Sequence, residues 1–130
     1  MIIISFSHLH WLIFLQTIGQ IESNNNDKAI GDAGKSIGRY QIQLVYWLDA
    51  RVKGKYTDCF KQHYASKVVF HYLNRYSKED LAKFLATGDN DAEQKLVRIH
   101  NGGPNGHRRH STKKYYEKYI KAKRQILRKI

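Results

Sequence analysis

Between Ser23 and Gly38 the chain abandons helical patterning. Ser23, Asn24, Asn25, Asn26 and Asp27 are all helix-terminating or turn-forming types, and Gly31, Gly34 and Gly38 then separate short polar and apolar pieces. Before this stretch Leu9, Leu12, Ile13, Thr17, Ile18 and Ile21 recur at helical spacing, and after it one helix-patterned segment follows another. A chain written this way predicts one helix, a small loop or β-hairpin lobe, and then a helical body. The expected class is therefore mainly α, in a single domain over residues 1–130, with strand signals confined to Lys35 to Gln43. No internal repeat, linker or low-complexity tract divides it.

Downstream, Tyr46 to Arg51 reads as a short helix. Cys59 to Tyr76 reads as a longer one, carrying Phe60, Tyr64, Val68 and Phe70 to Leu73 at helical intervals. Ser77 with Asp80 resembles a capping-box variant opening a helix through Leu81, Phe84 and Leu85, which Gly88 stops. Asn90 or Asp91 is the expected cap of a helix over Ala92 to Ile99, ended by Asn101, Gly102 and Gly103 before Pro104. A last helix is expected from about Thr112 to Ile130, with Tyr115, Tyr119, Ala122, Ile126 and Ile130 as its apolar stripe. Cys59 is the only cysteine, so no intrachain disulfide can form and core packing alone must stabilise the fold; 130 residues at 42% hydrophobic composition support one such core. The Cys59 thiol is expected to be buried and inert. Met1 to Leu15 is apolar but lacks a basic leader and a small-x-small cleavage site, and it is too short and too polar to span a bilayer. It is read as retained, the first helix beginning near Ser7.

Glu22 closes the first helical run, so its carboxyl is expected at the rim of the packed core. Desolvation there disfavours the ionised form, which suits a carboxyl that must donate a proton near neutral pH. Asp27 and Asp32 both follow within ten residues, and either could face Glu22 across a cleft. Two carboxylates flanking one bond is the arrangement that glycoside cleavage uses. A sugar ring packs its C–H face on aromatic faces, which makes Tyr40, Tyr46 and Trp47 candidates for a subsite. In the run Y-Q-I at 40 to 42, Ile42 is expected to be buried and Tyr40 or Gln41 to face the cleft. Ser36, before Gly38, is a candidate hydrogen-bonding partner of substrate or a catalytic water. The segment His100, Asn101, Gly102 and its continuation through Asn105 makes a tight turn that can approach a ligand closely and wall the cleft. His100, His107 and His110 have no carboxylate or cysteine partner at ligand spacing, so no metal is expected.

The formal net charge is +12, and residues 107–130 hold ten Lys or Arg against the single Glu117. Such a helix is attracted to polyanions. Nothing in the chain resembles a helix-turn-helix, zinc finger or RNA-binding signature, so no specific nucleic-acid partner is expected.

The ordered blocks I-E-S at 21 to 23, I-G-D-A-G-K-S-I-G-R-Y-Q-I at 30 to 42, V-Y-W-L-D-A at 45 to 50 and R-I-H-N-G-G-P-N-G at 98 to 106 resemble the lysozyme-like superfamily. They look closest to invertebrate-type lysozymes of the destabilase kind, and more loosely resemble soluble lytic transglycosylases and goose-type lysozymes. The resemblance covers roughly Ile18 to Tyr116. It implies a monomeric lysozyme-like fold that cleaves the β-1,4 bond of bacterial peptidoglycan without a cofactor, with Glu22 as general acid and Asp32 as the nearest match to the second carboxylate. A lytic transglycosylase acting on the same bond, or a non-enzymatic cationic glycan-binding or nucleic-acid-binding protein, is the alternative. The basic helix would then meet anionic wall or envelope polymers. The chain departs from that family in lacking its cysteines, and in a Glu22-to-Asp32 spacing that aligns to the family pattern only with gaps.

Overall fold

The computed structural model describes residues 6–130, and the part of the N-terminal expectation that falls on residues 1–5 lies outside them. Helix α1 (Phe6–Ser23) leads into a three-stranded antiparallel sheet of very short strands, β1 (Ile30–Gly31), β2 (Ser36–Ile37) and β3 (Ile42–Gln43), in the order β1-β2-β3. The register pairs Ile30 with Ile37, and Ile37 in turn with Ile42. Helix α2 (Leu44–Ala50), a 3-10 turn over Tyr56–Phe60, and helices α3 (Gln62–Tyr76), α4 (Lys78–Thr87), α5 (Asn90–Gly102) and α6 (Thr112–Arg128) complete the chain. The lobe is larger than the strand signals suggested, because Ile30 and Gly31 pair with β2.

Helix α1 packs against α4 and α6, and α5 against the same two helices. Phe14, fully buried, stands at that junction, its ring 5.8 Å from Phe84 of α4 and 5.9 Å from Tyr119 of α6. Ile18, Leu73, Leu96 and Val97 are equally buried. Burying side chains of this size contributes roughly 1.5–3 kcal/mol each, which holds the fold without disulfides. The Cys59 thiol lies in this core, and burial pushes its pKa up to about 12, as suits an inert group.

Several helix ends differ from their expected form. Gly88 stops α4 at φ 69°, as expected, but Ser77 donates its hydroxyl to the Asp80 carboxylate instead of capping a backbone N–H. The cap of α5 is Asp89, one residue upstream of the expected pair, accepting from the Ala92 N–H at 2.9 Å. Helix α5 also runs on past Ile99 to Gly102, so His100 is helical. Tyr119, Ala122 and Ile126 form the buried stripe of α6, whereas Ile130 lies beyond the helix and is 84% exposed.

One contact between the lobe and the helical body is a close backbone approach. Gly38 has φ 78° and sits against the Cys59 carbonyl, where any Cβ would overlap the oxygen. Only glycine meets both conditions.

Candidate active site

Glu22 lies in the last turn of α1, which ends because Asn24 and Asn25 both turn left-handed, at φ 56° and 58°. Their N–H groups return to the carbonyls of Gln20 and Gly19, at 3.0 Å each. Asparagine tolerates this conformation better than most residues, so the polar run after Glu22 closes the helix itself. Ser23 then donates to the Arg39 carbonyl at 2.7 Å, and Asp27 takes the Arg39 guanidinium at 2.9 Å. These contacts tie the end of α1 to the lobe. They also occupy Asp27, which does not border the cleft that Glu22 borders.

That cleft, of about 620 Å³, is bordered by Glu22, Asp32, Ser36, Gln41, Tyr46, His100, Asn101 and Gly102 from among the residues singled out in the sequence. The volume is in the range of small-ligand sites. On the lobe side, Asp32 and Ala33 hold φ of 51° and 56°, and Gln41 holds 53°. Left-handed backbone at non-glycine residues costs of order 1–3 kcal/mol each and clusters at functional sites. Ser36, itself buried, donates its hydroxyl to Asp32 Oδ2 at 2.6 Å, which orients the carboxylate. Gln41 donates to the Gly38 carbonyl at 3.0 Å, stapling the lobe beside the cleft.

The opposite wall was only partly legible. Tyr46 of α2 stacks on Tyr72 of α3, ring centroids 3.7 Å apart, and its hydroxyl meets His100 Nδ1 at 2.9 Å. His100 Nε2 lies 3.4 Å from Glu22 Oε2, and Tyr115 of α6 donates to the same oxygen at 3.1 Å. Burial first, then neighbouring groups that include the Glu22 carboxyl, hold both phenols well above their usual pKa, so both remain O–H donors. Tyr115 was read in the sequence only as part of the α6 stripe, and no local signal links it to a glutamate 93 residues earlier. Tyr72, Asp49, Gln43 and Arg109 also border the cleft and were not singled out. The turn after α5 is fastened by Arg98, whose guanidinium donates to Thr112 Oγ1 and to the Arg109 carbonyl, both at 2.7 Å.

Two expected subsite residues do not reach this cleft. Tyr40 is 1% exposed, with its hydroxyl 3.3 Å from that of Ser66. It lines a separate groove of about 910 Å³ with Trp11, Leu15 and Phe70 that shares no residue with the cleft and has no carboxylate in its wall. Trp47 packs against the core, and its indole N–H donates to Tyr64 Oη at 2.9 Å. Asn105 is exposed but not part of the cleft wall. Among the described residues, no group of three or more His, Cys, Asp or Glu is placed to hold a metal ion.

A helical body with a small antiparallel lobe, and a carboxyl at the end of the first helix facing the cleft between them, is the lysozyme-like architecture. The chain belongs to the destabilase family, whose model, Destabilase, matches residues 13–122. It is 34% identical over 84 residues to the invertebrate-type lysozyme of Ruditapes philippinarum, covering 63% of this chain and 57% of that protein. To a lysozyme of Meretrix lusoria it is 33% identical over 88 residues, covering 66% of each. The matches thus span between 57% and 66% of the length of these two curated relatives. It also superposes on a chain from the crystal structure of Aeromonas hydrophila PliI in complex with Meretrix lusoria lysozyme, with a TM-score of 0.69 and 29% identity over 84% of this chain and 87% of that one.

Proposed function

We propose that this chain is a muramidase that hydrolyses the β-1,4 bond between N-acetylmuramic acid and N-acetylglucosamine in bacterial peptidoglycan. The observation that carries the reading is a single cleft bordered by Glu22 from the end of α1 and by Asp32 from the lobe, in a family whose relatives bear the name lysozyme. Glu22 protonates the glycosidic oxygen as the bond breaks, and Asp32, oriented by Ser36, stabilises the oxocarbenium-like sugar. Asn101 and the backbone at Gly102 offer the sugar hydrogen-bonding groups along the cleft wall. Water then completes hydrolysis, and no cofactor takes part. The exposed lysines and arginines of α6, among them Lys114, Lys118, Lys121 and Arg124, concentrate the enzyme on anionic wall polymers, an attraction that should fade with salt.

Turnover of purified peptidoglycan by the wild type and by Glu22→Gln, with the products resolved by mass, tests this. Reducing muropeptides released by the wild type and lost in the variant are the expected result. Anhydro products, lighter by one water, would reassign the second step to the sugar's own 6-hydroxyl. Equal, negligible release by both proteins would remove the catalytic reading.

A further inference from the structure

The sequence reading puts His100 in a cleft wall close to a ligand, but its side chain is 3% exposed and lies between Tyr46 and Glu22. Both groups that approach the Glu22 carboxyl, His100 Nε2 and Tyr115 Oη, converge on Oε2. Among the described residues no hydrogen bond goes to Oε1. We propose that Tyr46, His100 and Tyr115 are positioning residues that select which oxygen of Glu22 delivers the proton, holding Oε2 as the carbonyl-type oxygen and leaving Oε1 to carry the acid hydrogen into the cleft. This rests on the muramidase reading above.

The chemistry follows from the donor inventory. A protonated carboxyl has one hydroxyl oxygen and one carbonyl oxygen, and the carbonyl is the better acceptor. Donors gathered at Oε2 therefore place the proton on Oε1. A neutral imidazole carries one N–H, and which nitrogen holds it is set by the partner of the other. In the proposed arrangement the Tyr46 hydroxyl, 2.9 Å from Nδ1, donates to that nitrogen, which puts the ring hydrogen on Nε2, the nitrogen nearer Glu22. At 3.4 Å the two atoms are close without forming a hydrogen bond, and in the proposed arrangement the contact tightens when substrate fills the cleft. When the proton leaves, the same two donors meet the carboxylate that forms. Nothing in the pair His100–Tyr46 needs to touch sugar for this. The stacking of Tyr46 on Tyr72 keeps the phenol in place, so α2 and α3 act on Glu22 through His100 of α5, while α6 reaches it directly through Tyr115.

The test compares Tyr46→Phe, His100→Gln, His100→Asn and Tyr115→Phe in the full chain. Glutamine places its amide nitrogen near the position of Nε2 and asparagine near that of Nδ1. His100→Gln should hold kcat within about twofold, whereas His100→Asn, Tyr46→Phe and Tyr115→Phe should each lose roughly ten- to a hundredfold in kcat at unchanged KM, the weight of one hydrogen bond to a charged or reacting group. In the His100→Gln background, Tyr46→Phe should add no further loss, because its effect passes through the ring tautomer. A raised KM with kcat intact would overturn the proposal and make His100 a sugar contact. NMR of the ring nitrogens reads the same arrangement without any turnover. An Nε2–H tautomer that is lost in Tyr46→Phe supports it, and an Nδ1–H ring in the wild type refutes it. If Glu22→Gln were inactive but these variants matched the wild type, the positioning claim alone would fall; an inactive wild type would instead sink the muramidase reading.

Discussion

Glu22 and Glu93 each accept a hydrogen bond from a tyrosine of α6, from Tyr115 and Tyr119 respectively, one helical turn apart. Their surroundings otherwise differ. Glu93 is 1% exposed, and Lys123 reaches both of its oxygens, at 2.9 and 2.7 Å. Glu22 keeps 21% of its side chain exposed at the cleft and, among the described residues, pairs with no lysine or arginine. A carboxylate matched by an ammonium is a cross-link between helices, here α5 to α6. One flanked by a phenol and an imidazole can gain and lose a proton without breaking such a pair. The same residue type and the same tyrosine contact thus serve packing in one place and, on the proposed reading, chemistry in the other.

The sharpest way to break this comparison is to remove each carboxylate. Glu22→Gln should lower peptidoglycan turnover by about 10²- to 10⁴-fold with the melting temperature nearly unchanged. Asp32→Asn should follow, with turnover down at least about tenfold, since on the proposed reading the sugar cation would lose the carboxylate that stabilises it. Glu93→Gln should do the reverse, preserving turnover per folded molecule while costing about 2–3 kcal/mol in a denaturant titration, because Lys123 loses its charge partner and one of the two accepting oxygens becomes an NH2 donor. A large activity loss from Glu93→Gln in folded protein would erase the distinction. Tyr119→Phe should cost about 1 kcal/mol of stability, and Tyr115→Phe less, its group lying nearer the cleft.

The smallest effect concerns alkaline pH. Burial first, and then the adjacent carboxylate, raise the Tyr115 and Tyr119 phenols well above their usual value near 10. The folded protein keeps these protons where the unfolded chain releases them. The stability they supply is therefore complete below about pH 10 and is lost as pH rises through the folded values. Removing either hydroxyl should make the alkaline limb of stability shallower by up to about 1.4 kcal/mol per pH unit, measured by denaturant midpoints across that range.

Much of the site was legible because it is written in short-range chemistry. The end of α1 at Glu22 follows from the asparagines after it, the lobe from its glycines, and the second wall from the segment His100 to Gly102, although that segment is the end of α5 and not the turn expected. Tyr40 and Gln41 show where that legibility stops. Adjacent residues of one segment, they part company because Gln41 turns left-handed at φ 53°, sending one side chain to the cleft while the other is buried. Trp47 looked equally able to meet a sugar, yet its indole is taken by Tyr64 across the α2 and α3 packing.

From sequence alone came the helix–lobe–helices order, the reliance on one packed core without a disulfide, the position of Glu22 at a helix end and the cationic last helix. These depend on periodicity, backbone preference and charge count, which act locally or sum over the chain. Only the tertiary structure decided that Asp32 and not Asp27 borders the cleft, that His100 turns inward to Tyr46, and that Tyr115 reaches Glu22. Each of those outcomes is a choice of side-chain direction among partners far apart in the chain, and it is made by which faces α1, α2, α5 and α6 bury against one another.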